Sequence, residues 1–104
     1  MNKRLDMLVQ LVASGTADSF GWYALALEYR KLGRVDDAMK TFEALAERDP
    51  DYLPMYLMAG QMLTEAERLV DAVWWLERGL TLARRVGNSQ AAGELEQALT
   101  LVRD

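Results

Sequence analysis

Shifted along itself by 34 residues, this chain lays one stretch on another with the same alternation of large and small side chains. Trp22 falls on Tyr56, Leu25 on Ala59, Ala26 on Gly60 and Tyr29 on Leu63. Further on, Arg34 falls on Arg68, Asp37 on Asp71, Ala38 on Ala72, Phe42 on Leu76 and Glu43 on Glu77. Few of these pairs are identical, yet size class and polarity agree at position after position. A repeat of this length narrows the fold more than composition does. Each copy is one supersecondary unit that cannot bury its apolar face alone, so neighbouring copies must stack.

The unit itself is helical. Apolar residues recur with helix period nearly throughout, and no segment alternates with period two long enough to make a strand. Breaks fall at 14–19, 32–34, 48–51, about 66–68 and 85–89. Gly15, Gly33 and Gly87 fit helix stops, where a left-handed residue costs little only for glycine. Asp18, and Asn88 or Ser89, fit N-caps, whose side-chain oxygens accept from free backbone N–H groups. Pro50 cannot continue a helix interior, whereas Pro54 is tolerated in a first turn. The spacing predicts six helices, at about 2–14, 18–32, 34–48, 52–66, 69–85 and 89–102. Short loops between helices of similar length make antiparallel neighbours, in a hairpin array or a bundle, and the repeat selects the array.

The repeat has a recognisable signature. W-x2-L-G-x2-Y, then A-x3-F, then P, at this period marks the tetratricopeptide repeat. W-Y-A-L-A-L-E-Y (22–29), A-M-K-T-F (38–42) and Pro50 match it, with Ala26 in place of glycine. The second copy, Y-L-M-A-G-Q-M-L (56–63) and A-V-W-W-L (72–76), is more degenerate. Over residues 19–84 the chain thus resembles the tetratricopeptide-repeat family. The resemblance implies an all-α antiparallel helix-hairpin array, a right-handed α-solenoid of about six helices. It divides a single domain, 1–104, into an N-terminal half-repeat helix (1–17), repeats at 18–51 and 52–86, and a C-terminal capping helix (87–104). Arg84 stands where the second copy should carry proline, so its second helix is expected to run on for about another turn. Moving back from Phe42 and Leu45 lands on Leu8 and Leu11, so helix 2–14 reads as the second helix of a truncated preceding repeat. Helix 89–102 gathers Ala92, Leu95, Leu99 and Val102 on one face and polar residues elsewhere, as the end of an array requires.

Composition closes off several kinds of chemistry. The chain has no cysteine and no histidine, which removes disulfides, thiolate metal sites and the commonest general base. A net charge of −4, with Lys3, Arg4, Arg30, Lys31, Arg84 and Arg85 scattered in pairs, argues against a nucleic-acid partner. No stretch approaches the roughly 20 apolar residues of a membrane span, so no membrane partner is expected. Asp6 and Gln10 break the apolar run behind Lys3 and Arg4, making an amphipathic helix a better reading than a signal peptide, and a cytoplasmic location is expected. Asp36 and Asp37 open a helix, where acidic residues suit the macrodipole. Ser14, Ser19 and Ser89 stand at helix ends as capping residues do. Asp49 and Asp51 could frame a cation, but the R-D-P-D turn accounts for them without one. No catalytic residue, cofactor or metal is expected; the chain reads as a non-enzyme.

What the family resemblance implies is a binding surface. In tetratricopeptide repeats the first helix of each pair lines a concave groove that usually holds a partner peptide. Carried over by repeat position, that face is Phe20, Tyr23, Leu27, Arg30 and Lys31, continued by Pro54, Leu57, Met58, Gln61 and Thr64. The family's best-known groove chemistry clamps a C-terminal carboxylate with Lys, Asn and Arg. The matching positions hold Tyr23, Leu27, Pro54 and Met58, which counts against a receptor for chaperone tails. The face is apolar and includes a methionine-rich helix (Met55, Met58 and Met62), suited to an apolar peptide or helix. Two alternatives stand beside that reading. Met55 and Met62 could be core, with Leu57 and Met58 covered by the chain's own flanking helices. The exposed repeat surface could also pair with a second copy, as a homodimer.

Trp74 and Trp75 are a separate puzzle. Adjacent helical residues point about 100° apart, so one buried stripe rarely takes in two neighbouring indoles. They fall on Lys40 and Thr41 of the first repeat, polar positions expected to face solvent. Either Leu95, Leu99 or Val102 of the last helix covers one of them, or they are a contact for another copy or a partner.

Overall fold

A computed structural model of the chain describes residues 2–103; the first and last residues of the expected 1–104 span lie outside them. Among the described residues there are six helices and no strand: α1 (Lys3–Ala13), α2 (Ser19–Lys31), α3 (Val35–Arg48), α4 (Pro54–Glu65), α5 (Leu69–Val86) and α6 (Ser89–Arg103). The ends follow from local chemistry. Asp18 accepts from the Gly21 N–H at 2.9 Å, and Asn88 accepts from the Ala91 N–H at 3.0 Å. Gly15, Gly33 and Gly87 all take positive φ, as helix stops do. Pro54 begins α4. Thirty-four residues beyond Arg48, where α3 ends, lies Leu82; α5 continues to Val86, the extra turn expected where Arg84 replaces proline.

The helices form two compact units, one ending at Pro50 and one beginning at Asp51. In the first, α2 and α3 make a hairpin and α1 lies on α2. Its core comes from Leu25 and Ala26 of α2 and from Ala38, Met39, Phe42 and Leu45 of α3, with Leu5 as the buried residue of α1. Small residues let the helices approach and large ones fill the space between. The ring of Trp22 is capped by the Arg48 guanidinium at 4.8 Å, and that of Tyr29 by Arg34 at the same distance. Glu28 is buried, and its carboxylate accepts from Arg4 Nε at 3.1 Å and Asn2 Nδ2 at 3.2 Å, which ties the start of α1 to α2.

In the second unit α4 and α5 make the equivalent hairpin, and α6 packs against both. Leu76, Ala83, Ala92, Leu95 and Leu99 form a buried cluster, with Leu57, Val73 and Leu80 packed around it. Gly79 makes room for this arrangement. A Cβ there would lie 2.6 Å from Tyr56 Cβ and 2.9 Å from Leu95 Cδ2.

One expectation about exposure is corrected. Lys40 faces solvent, but Thr41 is buried. Its hydroxyl donates to the Asp37 carbonyl at 2.8 Å, so the side chain is satisfied within its own helix. Among the described residues, no helix is long and apolar enough to cross a membrane.

Candidate functional site

Helix α2 keeps two faces apart. Gly21, Leu25, Ala26 and Glu28 are buried. Phe20, Tyr23, Leu27 and Arg30, spaced three, four and three residues apart, run along one outer face, as helix periodicity dictates. Phe20 is 65% exposed, and Tyr23, Leu27 and Arg30 are half-buried. An exposed phenylalanine at the head of a half-covered aromatic and aliphatic stripe is a ready anchor point for a partner.

The corresponding face of α4 is less open. Gln61 is exposed and Met58 is half-buried. Leu57 packs against the cluster that α6 builds with α5, so the chain's own last helix takes part of this surface. Met55 and Met62 are buried core residues, the second of the two readings weighed for the methionines.

The paired indoles part company. Trp75 is 4% exposed, its ring 5.9 Å from Tyr56 and 5.3 Å from Trp74. Trp74 is 48% exposed, with the Arg78 guanidinium 4.1 Å over its ring. Leu95 and Leu99 lie instead with Leu76 and Ala83, on a different side of α5 from Trp74.

Two polar features escaped sequence reasoning. The first is the buried Glu28, whose partners lie 24 and 26 residues away and give no local signal. The second is a cleft of about 460 Å³ between α5 and α6, floored by Leu80 and Leu99. Its rims are cross-linked by Arg103 to Glu77 at 2.8 Å and Arg84 to Glu96 at 3.5 Å. The signal for these pairs was in the sequence. Glu77 stands seven residues before Arg84 on one helix and Glu96 seven before Arg103 on the other, and antiparallel packing sets each of these acids against the other helix's base. The threonines of the cleft, Thr81 and Thr100, donate to carbonyls of their own helices. The polar groups there are already engaged with one another. Asp49 and Asp51 likewise have separate partners, Ser19 Oγ at 2.6 Å and Arg85 at 2.7 Å. Among the described residues, no three Asp or Glu side chains gather as metal ligands.

Comparison with known proteins points one way. A tetratricopeptide-repeat family model matches residues 20–62. The crystal structure of a tetratricopeptide repeat domain protein from Salinibacter ruber is 34% identical, with a TM-score of 0.75, covering 83% of this chain and 97% of that one. A solution structure of a protein from Bordetella parapertussis shares the fold at 24% identity and a TM-score of 0.83, covering 99% of this chain and 90% of that one. The TPR2B domain of yeast Sti1, in its pHsp70 complex, shares the fold at 18% identity and a TM-score of 0.85, covering 95% of this chain and 79% of that one. A search of curated proteins found no match.

Proposed function

Because the chain belongs to the tetratricopeptide-repeat family, whose members are typically non-catalytic interaction modules, we propose that it recruits an apolar peptide or helix through the first helices of its hairpins. The observation that carries this reading is the stripe on α2. Phe20, Tyr23, Leu27 and Arg30 remain outside the hairpin core although three of them are apolar or aromatic. On α4 the residues at the corresponding repeat positions are Met58 and Gln61, with Leu57 less open because it packs on the α5–α6 cluster. A protein of the same fold, the Sti1 TPR2B domain, is found in a pHsp70 complex, which supports a partner of protein or peptide type. The residues Tyr23, Leu27, Pro54 and Met58 where a carboxylate clamp would stand favour recognition of apolar side chains over a charged chain end.

The test is selection of peptides from a displayed random library on the immobilised chain, followed by affinities for Phe20→Glu and Leu27→Glu. Apolar sequences should be enriched, and each variant should weaken binding by about tenfold or more, the scale of an interface hot spot. Leu101→Glu, at an exposed site on α6, should leave affinity unchanged. Selected peptides that bind all three variants equally would place recognition elsewhere. Light scattering at ~100 μM tests the competing homodimer, which requires a dimer that Phe20→Glu or Leu27→Glu dissociates.

A further inference from the structure

Glu28 stands at a place that the second repeat fills with an apolar side chain. Thirty-four positions on, its equivalent in α4 is Met62, a core residue. Glu28 is buried as well, and a carboxylate taken out of water needs partners for its oxygens. Both partners come from the start of one helix. Arg4 Nε donates to Oε1 at 3.1 Å, and Asn2 Nδ2 donates to Oε2 at 3.2 Å. Asn2 is also the N-cap of α1, its Oδ1 accepting from the Leu5 N–H at 3.0 Å. The residue that starts the helix is thus one of the two that hold the buried acid.

The rest of the seat is slight. Gly21, Leu25 and Glu28, four and three residues apart, lie along one side of α2. Helix α1 runs antiparallel along that side, with Leu11 near Gly21 and Arg4 at Glu28. It buries Leu5, whereas α6 buries Ala92, Leu95 and Leu99. At 11 residues, α1 is also short enough to be marginal without packing. Its connection to α2, residues 14–18, is mostly exposed and turns at Gly15 with a φ of 79°.

A carboxylate in such a seat changes what separation costs. Uncovering an apolar side chain at this place would put its surface in contact with water, which is unfavourable. Uncovering Glu28 lets water replace the donors that leave with α1, which offsets much of their loss. The closed arrangement also relies on a charge pair whose Arg4 member is 64% exposed, so salt screens it.

We propose that α1 is a strap that opens from α2 while the α2–α3 hairpin stays folded, and that Glu28, through Arg4 and Asn2, sets how often it opens. Opening bares the Gly21–Leu25–Glu28 side of α2 and becomes more frequent as ionic strength rises.

Hydrogen–deuterium exchange of the full chain, read amide by amide by NMR, tests this. Amides from Met7 to Leu11 should exchange about tenfold faster, or more, than those of Phe42 and Leu45 in α3. Raising NaCl from about 20 mM to about 500 mM should speed α1 by about threefold and leave α3 unchanged. Arg4→Met should speed α1 by about tenfold, because one buried oxygen then lacks its donor for as long as α1 stays closed. Glu28→Met, which installs the residue of the second repeat, should slow α1 and abolish its salt response. Circular dichroism establishes that both variants keep their helix content, and the salt response of the unaltered chain requires neither of them. The proposal is overturned if α1 exchanges no faster than α3, if salt leaves α1 unaffected or speeds it equally in Glu28→Met, or if Glu28→Met opens α1 more often than the unaltered chain does.

Discussion

The two flanking helices each seat a leucine against a glycine, and they do so at different depths. In the first unit Leu11 of α1 approaches Gly21 of α2; a Cβ on that glycine would stand 3.5 Å from Leu11 Cδ2, an ordinary contact. In the second unit Leu95 of α6 approaches Gly79 of α5 so closely that a Cβ would lie 2.9 Å from Leu95 Cδ2 and 2.6 Å from Tyr56 Cβ. The consequence shows in burial. Ala92, Leu95 and Leu99 of α6 are buried, whereas α1 buries Leu5 and is held also by the Arg4–Glu28 ion pair. A helix that seats deeply becomes part of the core; one that rests on the surface is more easily parted from it.

Truncation at the two seats is the largest expected contrast. Leu95→Ala removes a fully enclosed side chain from between α5 and α6 and should cost about 2–5 kcal/mol. Leu8→Ala, at a half-buried site on α1, should cost about 1 kcal/mol or less. Urea denaturation followed by circular dichroism measures both. Equal losses would mean that α1 is as deeply integrated as α6, and would remove the distinction between them.

A smaller effect probes the glycines directly. Gly79→Ala gains helix propensity but forces backbone or Tyr56 to move, and should destabilise by about 1–3 kcal/mol. In Gly21→Ala the added methyl meets Ala17 Cβ at 3.1 Å, a crowded contact on a loop that can yield. The propensity gain offsets that crowding, so the change should stay within about 1 kcal/mol of neutral. Thermal melts of the two variants rank them, and a Gly79→Ala protein as stable as its parent would show that α6 is not tightly seated.

Much of this arrangement was legible before any coordinates. The helices end within two residues of their expected limits because capping residues, glycines and prolines act locally. The small–large pairs were legible because the repeat displays each of them twice. The failures have a common cause, which is cover supplied by residues far along the chain. Thr41 looked wet because a hydroxyl usually prefers water; the Asp37 carbonyl that satisfies it lies one turn back in its own helix, but its burial depends on packing beyond that helix. Leu57 falls on the expected groove face, but only the packing of α6 shows that the surface is shared. The Trp74–Trp75 pair announced that one indole needed unusual cover. Which one, and that Tyr56 stands against it, depends on the rotation of α5 about its axis in the hairpin.

The two hairpin turns give the finest comparison, because one position solves the same problem with different residues. Gly33 and Glu67 are equivalent by the repeat, and both adopt positive φ, 74° and 60°. The turns close alike. The Arg34 N–H donates to the Tyr29 carbonyl at 2.9 Å, and the Arg68 N–H donates to the Leu63 carbonyl at 2.8 Å. Glycine enters the left-handed region freely, whereas a residue with a Cβ costs roughly 1–2 kcal/mol there. Glu67→Gly should relieve that cost but enlarge the conformational freedom of the unfolded chain, leaving a net stabilisation of about 0.5–1 kcal/mol. Gly33→Ala should do the reverse in the first turn, by a similar amount. A rise in Tm for the first variant and a fall for the second would establish that the second turn carries strain the first avoids. If Glu67→Gly leaves Tm unchanged, the glutamate side chain must be making a contact that offsets its backbone, and the two turns differ in more than φ.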